Sequence, residues 1–204
     1  MRKIAKSLCT CILLLGVLWL LDVAADRQIL SEDLIRLHVV ADSDSDADQS
    51  IKLQVRDSVI RSLQPAMADL QDTDQARAYL QSHITELEQI ANQTLEAAGS
   101  DDQATVTLEE EAFPVRHYDT FSLPSGVYHS LRITIGQGQG QNWWCVVFPS
   151  LCLPATGEDF TDTAAGAGFS DGLSNTLEGE QPYQVRFFLL DLLGKVQNFF
   201  HQFR

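Results

Sequence analysis

Basic side chains are scarce in this chain, whose 204 residues hold 14 Lys and Arg against 28 Asp and Glu, a net charge of −14. Arg2, Lys3 and Lys6 fall in the first 25 residues with a single acid, Asp22, so the remainder carries 11 bases against 27 acids, a net of −16. That field repels a polyanion and excludes nucleic acid as a partner class. Solubility alone accounts for acidity of this kind.

Cysteine is nearly as sparse, with four in all. Cys9 and Cys11 lie in the apolar start, which leaves Cys145 and Cys152 as the pair in the body of the chain. One C-x6-C spacing and scattered histidines lack the closely spaced ligand pairs of a zinc site. A dinucleotide fingerprint is missing too. In "IGQGQGQNWWCVVFPSLC" the glycines Gly136, Gly138 and Gly140 are spaced G-x-G-x-G and precede a strand, where the fingerprint needs G-x-G-x-x-G opening a helix. A turn between neighbouring antiparallel strands is the reading that remains, with glycine supplying positive φ. The sequence calls for no cofactor and no metal.

What is present begins with a basic "MRKIAK", an apolar "LCTCILLLGVLWLL" and the small residues of "DVAAD". That order is a secretory signal with a cleavage site after Ala25. The apolar run is shorter than the roughly 20 residues of a permanent span, although retention of residues 1–25 as an N-terminal anchor stays open. Either way the following residues lie outside the cytoplasm. There a Cys145–Cys152 disulfide is permitted, and closing a loop of about 8 residues contributes roughly 2.5 kcal/mol in the chain-entropy account. Two reduced thiols are the alternative.

Alternation in "LIRLHVVA" predicts a half-buried strand over 34–41. Ile51, Val55, Val59 and Leu63 recur at steps of four, a helix expected to stop at Pro65, and a second helix runs from Thr73 to about Ala98 with Gly99 as its stop. Strand-like segments follow around Val106, across "VYHSLRITI", and in "NWWCVVF", which is apolar on both faces and expected to be central. The order predicts an α+β fold, two helices packed on one face of an antiparallel sheet, spanning residues 30–154. Residues 155–182 contain no Lys or Arg and read as a flexible acidic linker. Residues 183–204 read as a separate amphipathic helix, with Val185, Leu189, Leu192, Val196, Phe200 and Phe203 on one stripe.

Three groupings invite a chemical reading. "DSDSDADQS" puts Asp42, Asp44 and Asp46 at calcium-loop positions, but Ala47 and Leu53 stand where Gly and Glu are required. Ser45 and Asp48 suit a helix cap instead. A Cys145 thiolate with His117 or His129 as base would make a hydrolase, although Cys145 lies mid-strand among apolar neighbours. Trp143 and Trp144 must point to opposite faces of their strand, so one needs cover from a helix or a partner. Phe187, Phe188, Phe199 and Phe200 give the C-terminal helix a broad apolar side, suited to a membrane surface, a partner's groove or its own domain.

"LIRLHVVADSDSDADQSIKLQVRD" and "IGQGQGQNWWCVVFPSLC" closely resemble the two signature blocks of the stage II sporulation protein R family, while "FPVRHYDTFSLPSGVYHSLRI" and "YQVRFFLLDLL" are similar to its middle and ending. The resemblance implies a signalling protein made in the forespore and secreted into the space between forespore and mother-cell membranes. Its implied partner there is a membrane-embedded aspartic protease, whose activation leads to cleavage of pro-sigma-E. It implies a ligand without catalysis of its own. Trp143, Trp144 and the terminal helix are then the candidate contacts, with a Cys/His hydrolase and an envelope- or membrane-binding module as rival readings.

Overall fold

Strand β1 (Ile35–Val40) is buried along its whole length, and the sheet is arranged around it. It pairs in parallel with β5 (Gly126–Ile135) and antiparallel with β6 (Asn142–Phe148), while β2 (Ala104–Phe113) pairs antiparallel with β5, giving the order β2-β5-β1-β6. The computed structural model describes residues 2–118, 120–149, 164–165, 169–179 and 184–203. The α+β class is as the sequence predicts. The sheet, however, is mixed, because the chain leaves β1 through two helices and β2 before returning as β5, and a crossover of that length permits parallel pairing.

Two further expectations about the strands change. β6 is the edge of this sheet and β1 is internal. An apolar residue on each face of β6 reports cover above and below, and carries no information about lateral neighbours. β1 is fully buried rather than half-buried, since Arg36 and His38 lie under a second layer. The Arg36 guanidinium rests 4.1 Å from the Phe113 ring centroid and donates to the Tyr118 hydroxyl at 2.9 Å.

Helices α2 (Asp46–Asp69) and α3 (Thr73–Ala97) cover one face. Val55, Val59, Leu63 and Met67 from the first and Leu80, Leu87, Ala91 and Leu95 from the second meet Leu37, Val39, Leu131 and Ile133. Each fully buried Leu or Val there contributes about 1.5–3 kcal/mol of transfer free energy. Ser45 caps α2 by accepting from the Asp48 N–H at 3.1 Å. Helix α2 does not stop at Pro65. The ring faces solvent and costs one intrahelical bond, whereas burial of Leu63 and Met67 on either side holds the helix on the sheet.

The opposite face is covered by elements from both ends of the chain. The end of α1 (Arg2–Glu32), the short hairpin β3 (Arg116–His117) and β4 (Ser122–Leu123), α4 (Asp171–Leu177) and α5 (Gln184–His201) enclose a second core of Leu30, Leu34, Phe113, Leu123, Tyr128, Leu173 and Leu190. The terminal helix is therefore not separate. Part of the stretch read as a linker also folds: Ser170 caps α4 by accepting from Leu173 N at 3.1 Å, and Phe169, Leu173 and Leu177 are buried. Residues 155–163 of that stretch lie outside the described residues.

Candidate functional site

Helix α5 is fastened by its polar side. Asp191 accepts from the Ser125 backbone N–H at 2.9 Å and from the Ser125 hydroxyl at 2.6 Å, and its other oxygen pairs with Lys195 at 2.8 Å. Burial pushes the Asp191 carboxyl up, but the hydrogen bonds from Lys195 and Ser125 outweigh it and hold the group below the usual carboxylate range. Three residues on, Gly194 lies against the Ser125 carbonyl so closely that any Cβ would overlap it. Leu190, Asp191 and Gly194 are the buried positions of the helix.

The stripe that stands out in the sequence consequently faces away from the domain. Phe188, Phe199, Phe200 and Phe203 are 63%, 57%, 66% and 74% exposed. The Phe199 ring packs edge-on against Phe200 at 5.6 Å and Phe203 at 5.1 Å. Phe187 and Leu189 are the exceptions on this helix, half-buried against the second core. Exposed apolar area of this kind marks a surface that meets something else.

Helix α1 adjoins that surface. Arg186 of α5 donates to Asp26 at 2.6 Å and pairs with Asp22 at 2.9 Å. Arg27 donates to the Tyr128 hydroxyl at 3.1 Å and to Gln197 at 2.6 Å. Toward its start α1 is an exposed apolar rod, long and apolar enough to cross a membrane.

The two tryptophans do point to opposite faces. Trp143 is 38% exposed on the side of α2, with the Arg56 guanidinium 4.2 Å from its ring. Trp144 is half-buried on the other side, stacked on His38 at 5.4 Å with Arg116 at 3.4 Å. His38 in turn joins a polar network that sequence reasoning missed. Its Nδ1 meets Glu111 Oε1 at 2.8 Å and its Nε2 meets Asn142 Oδ1 at 2.7 Å, while Ser130 and Arg132 each donate to Glu111 at 2.9 Å. Burial raises the Glu111 pKa, but the His38 and Ser130 hydrogen bonds and the charges of His38 and Arg132 prevail, leaving it below the ordinary value. The alternation that puts Arg36, His38, Ser130, Arg132 and Glu111 on one face was available in the sequence; the cover over that face was not.

Cys145 belongs to the helix-covered core and is disulfide-bonded, so it offers no free thiolate. Cys152 lies outside the described residues, and Cys9 and Cys11 are free. His117 is engaged with the Ser122 hydroxyl at 2.8 Å. Among the described residues no group of three or more His, Cys, Asp or Glu is placed to hold a metal ion. The aspartates of the acidic loop are structural instead. Asp42 accepts from Gln137 N at 2.6 Å and Asp44 from Gln141 N at 2.7 Å, joining that loop to the glycine turn. Gly136 at that junction has φ +55°, and a Cβ there would overlap Asp42.

These features are those of an α+β domain carried behind an apolar N-terminal helix of the signal-sequence kind. The chain belongs to the stage II sporulation protein R family, whose model matches residues 31–157. It is 36% identical over 125 residues to the stage II sporulation protein R of Bacillus subtilis (strain 168), across 61% of this chain and 56% of that protein. The match thus spans a little over half the length of that relative. No solved structure matches. Both blocks joined by the Asp42 and Asp44 contacts lie inside the family match.

Proposed function

We propose that this protein is a secreted signalling protein of endospore formation, acting between the forespore and mother-cell membranes. It activates a membrane-embedded aspartic protease of the mother cell, and pro-sigma-E is cleaved as a result. Family membership supports the sporulation role. The observation that carries the contact is α5, which is locked to the domain through Asp191 and Gly194 while its aromatic side faces outward. Large aromatics held rigid on a scaffold are the residues that dominate many interfaces. Trp143, next to Arg56, supplies a second and smaller contact.

An activator of this kind must bind the active arrangement of the protease better than the inactive one. It needs no chemistry of its own, and on the second face of the sheet Glu111 is paired with His38, Ser130 and Arg132. A membrane surface is the second reading of the α5 face, favoured because Arg186 ties the start of α5 to Asp22 and Asp26 where the apolar rod of α1 ends.

Reconstitution tests the main reading. In non-sporulating cells carrying the matching protease and pro-sigma-E, this chain with and without residues 1–25 would be followed by immunoblot for sigma-factor cleavage. Cleavage is expected with the exportable form alone. Exported, folded protein that leaves pro-sigma-E intact would sink the proposal.

A further inference from the structure

We propose that helix α1 is retained after export, as a membrane anchor whose last turns are built into the folded domain. The partner this assigns is a lipid bilayer, and the inference stands apart from the identity of any protease.

Length is the first argument. Helix α1 has 31 residues, or roughly 46 Å at 1.5 Å per residue. A hydrocarbon core takes up about 30 Å of that, and the part before Val23, about 21 residues, is roughly 31 Å long. Val23 is the first position to be buried, followed by Asp26, Arg27 and Leu30. The helix thus divides where a bilayer would end, with a span on one side and a docked segment on the other. The 14-residue apolar run falls short of a span only when its helical flanks are left out; Lys3 and Lys6 can reach the headgroups from within such a span. Those lysines, at the start of the helix, also orient it with the domain outside.

The cleavage site is the second argument. Removal after Ala25 would take Val23 out of the second core, where it is 1% exposed in the fold, and so would leave a gap there. Cleavage would also delete Asp22, one of the two carboxylates that bind Arg186. It would place a new α-amino cation on Asp26, beside the Arg186 guanidinium and next to Arg27, where like charges repel. A segment designed to be discarded has no reason to hold, through Asp22, an ion pair with Arg186 near the far end of the chain.

The full chain with a C-terminal epitope, expressed in a bacterium with an active signal peptidase, provides the test. Alkaline carbonate extraction should leave it in the membrane pellet, with an intact mass that includes residues 1–25. A soluble product beginning near Asp26 would overturn the proposal. Hydrogen exchange on the purified full chain in lipid nanodiscs tests the built-in part separately. Residues 23–32 should be protected, and Arg186→Ala should speed their exchange about tenfold or more. Equal exchange in both proteins would mean that the docked turns are not held by the domain.

Discussion

The Asp191 carboxylate accepts two hydrogen bonds from Ser125, 2.9 Å from the backbone N–H and 2.6 Å from the hydroxyl, which also reaches the Asp191 carbonyl at 3.0 Å, and this pair decides which side of the last helix is inside. The only acid in α5 thereby points into the protein, and Val185, Phe188, Leu192, Val196, Phe199 and Phe200 are left on the exposed side. Replacing Asp191 with Ala strands the Ser125 backbone N–H and leaves the Ser125 hydroxyl only the main-chain carbonyl of residue 191, and should cost about 2–3 kcal/mol, typical of a lost charge-assisted pair. Gly194→Ala should loosen the same contact by steric overlap. Denaturant unfolding with helix-specific hydrogen exchange measures both; exchange in α5 unchanged from wild type would contradict the docking.

Acid should weaken the domain through Glu111. Its folded pKa lies below the ordinary glutamate value of about 4.3, so its stabilising contribution is complete above that pH and disappears as pH falls through the folded value. Asp191 acts with the same sign, its contribution complete above about 3.9 and lost as pH falls below that. Glu111→Gln should lower stability at neutral pH and flatten the acid limb between about pH 5 and 3, read from unfolding midpoints across that range.

Gly136 and Gly99 both have positive φ, +55° and +77°, but only Gly136 is crowded, by Asp42. Alanine at Gly99 should cost the conformational penalty alone, on the order of 1 kcal/mol. Alanine at Gly136 adds a clash and displaces the acceptor of the Gln137 N–H, and should cost measurably more. Equal losses in thermal unfolding would refute the interlock of the two loops.

The chain should show two reactive thiols on denaturation without reductant, those of Cys9 and Cys11, and four after reduction. Cys145→Ser and Cys152→Ser should lower stability by similar amounts, roughly 2–3 kcal/mol for so short a loop. Different losses, or four thiols from the start, would break the pairing.

Serine at Phe188 or Phe199 should leave the thermal midpoint within about a degree of wild type, since neither ring is covered, while reducing sigma-factor cleavage severalfold. Trp143→Ala should behave likewise after a loss of about 0.5–1 kcal/mol from the Arg56 stack. Trp144→Ala should instead destabilise the domain, because His38 and Arg116 pack on its ring. Full signalling by the phenylalanine variants would remove the α5 face from the mechanism.

Local signals read well in the sequence. The Ser45 cap, the Val55–Val59–Leu63 stripe and the Gly99 stop depend on neighbours within a turn or two, and the structure places each as expected. What depends on distant cover does not read. Arg36 and His38 look like the solvent side of a strand until α1, α5 and the β3–β4 hairpin are laid over them. The C-terminal stripe is plainly apolar in the sequence, but period alone cannot say which side of a helix docks; that follows from Asp191, Gly194 and Ser125, two of which look unsuited to a core. The tryptophan pair is legible by alternation, whereas the Glu111 network needs the register of three strands.

The contact of Arg27 with Gln197 joins residues 170 positions apart. One face of the sheet can close as soon as β6 has been made, but the other waits for nearly the last residues to be synthesised. During translation the first helix therefore has no intramolecular mate until α5 has been made. Completion of the fold is in this way timed to the end of synthesis.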